Sequence, residues 1–412
     1  MIQVAILGHG VVGSGVAEVL RKNAAGIAHK AGDAIEIKRI LDLREFPESP
    51  YADRFTKNFD DILQDPDIRI VVETMGGLHP AFEYVKSSLL AGKSVVTSNK
   101  ELVAAKGDEL LEIARDRNLN FLFEASVGGG IPILRPIDQC LAANEVYEIA
   151  GILNGTTNFM LTKMIEEGMS FEDALALAQK LGYAERNPSA DIDGHDACRK
   201  ICILASLAFG RHVYPDQVHT EGISRVSAED VKYAAAWGGA IKLIGRAVKR
   251  PDGKLYAVVS PMLLPKTSLL ADVSGVFNGI MVRGDAIGDV VFYGQGAGKL
   301  PTASAVVADI IDEVKHLGAR KYLFWERGSA DYVADYREEA LPVFLRLASS
   351  DRQAVCNQIH AAFGPMNFIT YPEAPNDEAA FISPRMKERE IDAALEAMQG
   401  VTVRSRIRVA EL

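Results

Sequence analysis

The stretch "QVAILGHGVVGSGVAEVL", residues 3–20, decides the fold. A short apolar run leads into Gly8, Gly10 and Gly13, after which apolar residues recur at helical spacing. Glycines at this spacing allow a tight turn and let the backbone approach a pyrophosphate, whose charge a helix N-terminus attracts. A tight turn without a ligand is the plainer alternative. The strand, loop and helix context favours a dinucleotide site.

The segments that follow repeat this alternation of strands and helices up to about residue 125. The apolar runs are "QVAILG", "IEIKRILDL", "IRIVVETMG", "SVVTSN" and "NFLFEAS". Continuous apolar strands separated by helices are typical of a parallel sheet that is covered on both faces. The predicted fold class is α/β, with a Rossmann-type doubly wound parallel sheet.

The pattern changes after this region. Longer helices such as "FEDALALAQKLG" and "AEDVKYAAAWGGAIKLIGRAV", followed by strands such as "KLYAVVSPMLLP", predict an α+β substrate and dimerisation domain. Residues 342–409 have the order strand, helix, strand, strand, helix, strand, which is ferredoxin-like. We therefore expect a dinucleotide-binding domain over 1–130, completed by a helix at about 300–317, a catalytic domain over 131–320 and a third module over 341–412.

Composition restricts the class of protein. The chain has 412 residues, 48% hydrophobic and 24% charged, with a net charge of -10, which disfavours nonspecific binding to nucleic acid or to an anionic membrane. The first residues lack the basic region of a signal peptide, and no apolar stretch is long enough to span a membrane. The four cysteines have no pairing or zinc spacing. We expect a reduced, cytoplasmic protein that acts on small molecules.

Two further segments bear on the cofactor. The second strand ends in "ILDLRE", where Asp42 could accept a ribose 2'-hydroxyl and Arg44 could contact a 2'-phosphate, so NAD and NADP both stay open. Lys100 in "TSNKELVA" follows a strand end, where it could contact a nicotinamide ribose or a reacting carbonyl, or be a surface lysine. The expected cofactor-binding positions are Gly8, Gly10, Val11, Val12, Gly13, Asp42, Arg44, Thr74, Ser98, Lys100 and Gly298.

Charged residues gather in "GYAERNPSADIDGHDACRK", residues 182–200. Asp196 and Lys200 are four apart and share one helix face, which most often means a surface ion pair. Glu185 and Asp191 lie in the segment that enters the same face. Converging acidic and basic groups would suit a substrate that itself carries both charges.

Two neutral segments offer further ligands. "GILNGTTNFML" places Asn154, Thr156, Thr157 and Asn158 at the start of a helix; capping explains one of them, and four suggest a polar ligand. In "EASVGGGIPIL", the carboxylate of Glu124 and the carbonyls of Val127, Gly129 and Ile131 could bind a monovalent cation. A flexible hinge is the alternative for this glycine-rich segment.

Six blocks in order, "GHGVVGSG", "SNKELVA", "EASVGGGIP", "GILNGTTNFM", "YAERNPSADIDGHDACRK" and "GQGAGKLPTASAVVADI", resemble the homoserine dehydrogenase family over essentially residues 1–320. The resemblance implies reversible hydride transfer between NAD(P)H and aspartate 4-semialdehyde, giving homoserine on the way to threonine and methionine. It also implies a homodimer or homotetramer.

The resemblance implies roles for individual residues. Lys200 matches the proton donor to the carbonyl oxygen, and Lys100 also lies at the reacting centre, so either could donate. Glu185 matches the residue that holds the substrate amino group, while Asp191 and Asp196 match carboxylates that order the lysine and a water. The same comparison implies that Gly155 and Thr156 bind substrate. It implies a sodium or potassium site at Glu124, Val127, Gly129 and Ile131.

The C-terminal module looks like an ACT domain, an amino-acid-sensing fold, with one departure. Where that family usually has Asp-x-Pro-Gly, this chain has "DRQAV", with Gln353 and Ala354, so threonine feedback competes with a dimerising role. Two rival functions are compared with this one, and none of the four cysteines lies in the polar Gly, Asn or His context that the first of them needs. Aspartate-semialdehyde dehydrogenase would need an activated cysteine, and an NAD-sensing regulatory protein would not need Glu185 and Lys200.

Overall fold

The computed structural model describes residues 1–319 and 323–412. The chain forms two compact units, the first built from Met1–Val146, Cys202–Pro215 and Gly294–Ser329, and the second from Tyr147–Ile201, Asp216–Tyr293 and Ala330–Leu412. The strands are β1 (Ile2–Leu7), β2 (Ile35–Leu41), β3 (Phe55–Thr56), β4 (Ile68–Glu73), β5 (Ser94–Thr97), β6 (Phe121–Leu122), β7 (Val146–Ile152), β8 (His219–Thr220), β9 (Gly239–Lys249), β10 (Leu255–Pro265), β11 (Phe277–Gly284), β12 (Gly288–Gln295), β13 (Ala340–Leu341), β14 (Val343–Ala348), β15 (Phe368–Ile369), β16 (Glu378–Ile382), β17 (Met386–Lys387) and β18 (Thr402–Val409). The α-helices are α1 (Val11–Lys22), α2 (Ala24–Ala31), α3 (Asp60–Leu63), α4 (Ala81–Leu90), α5 (Lys100–Asp116), α6 (Gly155–Glu167), α7 (Phe171–Lys180), α8 (Ser189–Ile192), α9 (His195–Phe209), α10 (Ala228–Trp237), α11 (Lys299–Lys315), α12 (Arg352–Phe363) and α13 (Glu388–Glu396).

The first unit contains a six-stranded parallel sheet in the order β3-β2-β1-β4-β5-β6. The apolar runs form its central strands because side chains on both of their faces are buried, as in Val4–Leu7 of β1 and Ile70–Val72 of β4. Helices α1 and α11 pack together on this sheet through residues such as Val16 and Ala303. The order 3-2-1-4-5-6 is the Rossmann arrangement, so the prediction of a doubly wound parallel sheet is confirmed.

The second unit is built on a mixed sheet. Its strands follow the order β12-β11-β7-β9-β10-β18-β14-β16-β15, and β8 also pairs with β10. Strands β9 and β10 pair antiparallel along their full length, from Gly239 opposite Pro265 to Lys249 opposite Leu255. One hydrophobic core runs beneath these strands.

Residues from β14 onward belong to this same sheet. Strand β18 pairs in parallel with β10 over two positions, Met262 with Arg408 and Leu263 with Val409. The order β18-β14-β16-β15 is antiparallel throughout, and α12 and α13 connect its strands. Side chains of α12 and β16, including Val355 and Phe381, share the core with Ile244 and Tyr256.

One expected helix is wrong. The segment "AEDVKYAAAWGGAIKLIGRAV" forms α10 and then β9, because Gly238 adopts the left-handed conformation, φ 91°, and ends the helix. A Cβ on Gly239 would lie 2.4 Å from the carbonyl oxygen of Leu264, which belongs to the paired strand β10. The two glycines therefore stop a helix and start a strand. Across the described ranges no helix is long and apolar enough to cross a membrane.

Candidate active site

The glycine loop of the first unit is closed by contacts that only glycine permits. Gly8 adopts φ 90°, and a Cβ on Gly13 would lie 2.0 Å from the Gly8 carbonyl oxygen and 2.7 Å from Thr74 Oγ1. The hydroxyl of Thr74 donates to that same Gly8 oxygen, at 2.9 Å. Gly10 precedes α1 without a side-chain cap, and Val11 is exposed. The first N–H groups of α1 can therefore receive a phosphate oxygen.

Asp42 lies just beyond the end of β2, beside this loop. Its Oδ2 accepts from the backbone N–H of His9 at 2.8 Å and from Arg44 Nη2 at 2.9 Å, and Arg44 Nε reaches Oδ1 at 3.0 Å. Hydrogen bonding to the Arg44 guanidinium holds the pKa of Asp42 well below its usual range. Asp42 is therefore ionised, and Arg44 presents a cation at the position where an adenine ribose binds in such folds.

The ends of β4 and β5 present the next residues. Ser98 follows β5 and its N–H donates to the Glu73 carbonyl, while Lys100 is half-buried as the first residue of α5, after the helix cap Asn99. The buried Glu73 carboxylate accepts from Thr97 Oγ1 at 2.5 Å and from the N–H of Met75 at 2.7 Å. Burial raises the pKa of Glu73. Glu73 was not among the residues predicted from the sequence, where its signal is an acidic residue at the end of an apolar strand.

Gly298, the last expected cofactor position, precedes α11 with φ 126° and no side-chain cap. Val12 is the second residue of α1. The expected cofactor positions thus lie at the ends of β1, β2, β4 and β5 and at the starts of α1, α5 and α11.

The second unit contains a buried charge cluster at the start of α9. Lys200 Nζ lies 2.9 Å from Asp196 Oδ2 and donates to the Leu153 carbonyl at 2.7 Å, and the two side chains are 8% and 6% exposed. The surface ion pair that this spacing usually indicates is therefore not what the structure contains. A buried ion pair gives little net stability, since both charges lose their hydration.

Asn154 joins this cluster to a second carboxylate. Its Nδ2 donates to Asp191 Oδ1 at 2.7 Å and to Asp196 Oδ2 at 2.9 Å. Its Oδ1 accepts from the N–H of Thr157 at 2.9 Å and so caps α6. From the sequence, Asn154 was expected to cap a helix or bind a ligand, and its bridge between two carboxylates was not predicted.

Gly155 and Thr156, the first residues of α6 after Asn154, are held in position by two contacts. A Cβ on Gly155 would lie 2.6 Å from the Val276 carbonyl oxygen, so only glycine fits. The hydroxyl of Thr156 donates to the Tyr183 carbonyl at 2.6 Å and fixes the segment that leads to Glu185. Glu185 is exposed, and its carboxylate forms no hydrogen bond or ion pair with any residue that the structure describes. Asp191, Asp196 and Lys200 are thus brought together, while Glu185 stays outside their hydrogen-bond network.

The candidate cation segment lies in the first unit. The carboxylate of Glu124 accepts three backbone N–H bonds, from Ile133 at 2.6 Å, Leu134 at 2.9 Å and Arg135 at 2.8 Å. Asp309 accepts from the Glu124 N–H at 2.8 Å, and burial raises the pKa of Asp309 to about 7.

The three residues whose carbonyl oxygens were expected to bind the cation are buried as well. Val127, Gly129 and Ile131 are buried, and their carbonyl oxygens accept no hydrogen bond within residues 1–319 and 323–412. A Cβ on Gly129 would lie 2.3 Å from the Gly296 oxygen, so this glycine serves a close backbone approach. Among the described residues no group of three or more His, Cys, Asp or Glu could hold a metal ion, so a cation here would depend on carbonyl oxygens.

Two family models match the chain. Residues 132–311 match the model described as homoserine dehydrogenase, and residues 8–124 match its NAD binding domain. A homoserine dehydrogenase of Pseudomonas aeruginosa is 39% identical over 436 residues, covering 100% of this chain and 99% of the relative. One from Bacillus subtilis is 41% identical over 319 residues, covering 77% and 73%.

Solved structures give the same result. The crystal structure of a homoserine dehydrogenase from Thiobacillus denitrificans has a TM-score of 0.89 and 36% identity, covering 100% of this chain and 98% of that one. A hyperthermophilic archaeal homoserine dehydrogenase in complex with NADPH has a TM-score of 0.66 and 29% identity, covering 76% and 97%.

Proposed function

The chain belongs to the homoserine dehydrogenase family and is an NAD(P)-dependent oxidoreductase, and from this premise we propose how its residues carry out the reaction. The reaction is reversible hydride transfer between L-homoserine and L-aspartate 4-semialdehyde. The observation that supports our assignment best is the cluster of the half-buried Asp191 with the buried Asp196 and Lys200 around Asn154.

Lys200 is assigned as the residue that donates the proton to the carbonyl oxygen. Reduction of the aldehyde adds a hydride to carbon and places negative charge on oxygen, so an ammonium beside that oxygen stabilises the charge and then donates its proton. Asp196 keeps the ammonium in place through the 2.9 Å pair. Oxidation of homoserine runs the same steps backwards. Lys100, at the start of α5, is the alternative donor.

The substrate is a zwitterion and needs both kinds of partner. The carboxylate of Glu185 is exposed and accessible, and we assign it to the substrate ammonium. Asn154 caps α6 through the N–H of Thr157, and the N–H groups of Gly155 and Thr156 in the same first turn are assigned to the substrate carboxylate, which a helix N-terminus attracts. Asp191 orders the lysine and a water.

The dinucleotide binds at the ends of β1, β2, β4 and β5, with its pyrophosphate on the glycine loop. The nicotinamide supplies the hydride acceptor when bound. Arg44 lies where a 2'-phosphate would be, while Asp42 could accept a 2'-hydroxyl once Arg44 moves. The chain is therefore equipped for both NAD and NADP. Initial rates with each cofactor decide the preference.

A sodium or potassium ion fits beside Glu124. The carbonyl oxygens of Val127, Gly129 and Ile131 are buried without hydrogen-bond donors from the described residues, and a buried oxygen acceptor needs a partner. A cation held there would fix the turn that leads from β6. We assign it no part in hydride transfer.

Residues 341–412 we assign to an ACT-like regulatory module, with 1–130 and 131–320 as cofactor and catalytic domains. The strand order β18-β14-β16-β15 with two connecting helices supports this. Gln353 and Ala354 lie inside the first turn of α12, which Asp351 caps, so the glycine turn of a typical effector site is missing. We infer a homodimer or homotetramer in the cytoplasm, acting in threonine and methionine biosynthesis.

The test is the oxidation of L-homoserine by the purified chain with NAD⁺ or NADP⁺, with sodium or potassium present, followed through the absorbance of the reduced nicotinamide. We expect turnover with at least one cofactor. No turnover with either cofactor in a folded sample would refute the proposed reaction.

A further inference from the structure

We propose that Asn154 is a positioning residue, which holds Asp191 and Asp196 as two ionised carboxylates around Lys200. This inference rests on the proposed function, since it takes Lys200 as the group that exchanges the proton. The contacts lie within the second unit and join the end of β7, α8 and α9.

The orientation of the Asn154 amide is determined by its neighbours. Its Oδ1 accepts from both the N–H and the hydroxyl of Thr157, each at 2.9 Å. A carbonyl oxygen only accepts and an amide nitrogen only donates, so the nitrogen must face the carboxylates. Its two hydrogens then serve one oxygen of Asp191 at 2.7 Å and one of Asp196 at 2.9 Å.

This arrangement offsets a repulsion. Two carboxylates bonded to one nitrogen lie close together, and neighbouring like charges disfavour ionisation of both. A donor to each carboxylate favours its charged form. Asn154 provides one donor to each without adding a charge, so it can keep both Asp191 and Asp196 ionised.

The same segment fixes the ammonium. Lys200 donates to the carbonyl of Leu153, the residue before Asn154, at 2.7 Å. Lys200 also contacts Asp196 Oδ2, the oxygen that accepts from Asn154. A shift of Asn154 would therefore move two oxygens that contact the Lys200 nitrogen. A displacement of about 1 Å in catalytic geometry can cost on the order of 10²-fold in rate.

A role limited to helix capping is the alternative. Serine caps helices about as well as asparagine, and this chain uses Ser170 for α7 and Ser227 for α10. Serine at position 154 would keep an acceptor for the Thr157 N–H and lose both donors to the carboxylates. The variant Asn154→Ser thus separates the two roles, and Asn154→Asp keeps size and cap but directs a carboxylate oxygen at two others.

The experiment measures kcat for homoserine oxidation across pH, together with the thermal midpoint, in the full-length wild type and both variants. For Asn154→Ser we expect a modest fall in the thermal midpoint, because two carboxylates lose a donor, and a fall in kcat of about 10²-fold at temperatures where the variant is fully folded. The acidic limb of the kcat profile should move to higher pH, because the carboxylates lose hydrogen bonds that favour their charged form. Asn154→Asp should show a larger shift in the same direction, and the KM for NAD(P)⁺ should stay unchanged in both.

Ser170→Ala is the matched control, since it removes a helix cap that does not touch the cluster. It should lower the thermal midpoint and leave the pH profile in place. Wild-type kcat and pH profile in Asn154→Ser would overturn the proposal, as would activity losses that follow only the folded fraction. If Asn154→Ser does not fold, the pH profile of Asn154→Asp decides in the same way. Wild-type protein without homoserine oxidation would refute the proposed function itself, and the role of Asn154 with it.

Discussion

Replacing Lys200 by methionine should damage activity and stability through two separable causes. Methionine keeps much of the volume and removes the charge, leaving Asp196 buried opposite no cation. Removing one partner of a buried ion pair costs about 3–5 kcal/mol of unfolding free energy, because the remaining charge is uncompensated. Loss of a positioned general acid lowers kcat by roughly 10²- to 10⁴-fold. Both losses are expected in Lys200→Met.

The double variant Lys200→Met/Asp196→Asn separates the two effects. Asparagine at 196 removes the uncompensated charge and can still accept from Asn154, so the unfolding free energy should return to within about 2 kcal/mol of wild type. Catalysis should stay as low as in the single variant, since no ammonium has been restored. Lys163→Met is the control, because Lys163 and Glu167 have the same i,i+4 spacing on the surface of α6, and its stability should barely change.

Urea unfolding gives the free energies, and steady-state rates with homoserine and NAD(P)⁺ give kcat and KM. A near-normal kcat in Lys200→Met would show that Lys200 is not the proton donor. If Lys100→Met abolishes turnover in that case, the proton donor is Lys100, and the buried cluster only binds substrate. Recovery of kcat in the double variant would show that the loss in the single variant came from misfolding.

Three further outcomes are expected. Glu185→Ala should mainly raise the KM for homoserine, because the substrate ammonium has the same charge in ground and transition states; an equal fall in kcat would contradict this. Gly13→Val should abolish tight cofactor binding, measured by fluorescence titration, since a Cβ there would lie 2.0 Å from the Gly8 oxygen and 2.7 Å from Thr74 Oγ1, and unchanged affinity would count against the phosphate loop. Burial lowers the pKa of the His212 imidazole from its usual 6.5, so folding favours the neutral ring. This contribution to the free energy of unfolding is fully present above pH 6.5 and is lost as the pH falls below 6.5. Unfolding followed by the fluorescence of Trp325, which donates to His212, should show this loss, and His212→Gln should reduce it.

Local patterns were sufficient to predict much of the first unit. Strand β1, the glycine loop and α1 follow one another within residues 2–22, so their signals are local. The rest of the parallel sheet follows from apolar runs whose two faces are both buried. The positions of Ser98 and Lys100 after β5 could likewise be inferred, because ligands gather at the carboxyl ends of parallel strands.

Non-local pairing explains what the sequence analysis did not foresee. Strand β9 is buried on both faces and shows no alternation, so its apolar run resembled a continuation of α10. Its true state depends on pairing with β10. The joining of β18 to β10 rests on two paired positions, Met262 with Arg408 and Leu263 with Val409, and has no local sequence signature.

The burial of Asp196 and Lys200 also could not be predicted from the local sequence. Spacing of four residues is the same in the buried pair and in the surface pair of Lys163 and Glu167, and only packing by distant segments separates them. Asn154 could be read as a helix cap from its position alone. Its contact with Asp191 and Asp196 depends on α8 and α9 packing against the end of β7. A short sequence pattern does not predict packing between segments that are distant in the chain.

Buried charge alone does not identify an active site in this molecule. Glu148 is buried as deeply as Asp196. Each of its carboxylate oxygens accepts from a guanidinium, one from Arg246 and one from Arg283, both at 2.7 Å. Arg283 also pairs with Asp289. Each carboxylate of that network therefore has a directly bonded guanidinium. Asp191 and Asp196 in addition share the two hydrogens of one neutral amide, that of Asn154, which bonds both carboxylates without adding a charge. A neutral side chain that holds two acids beside a buried lysine is the feature that supports our proposal of a reacting centre at the start of α9.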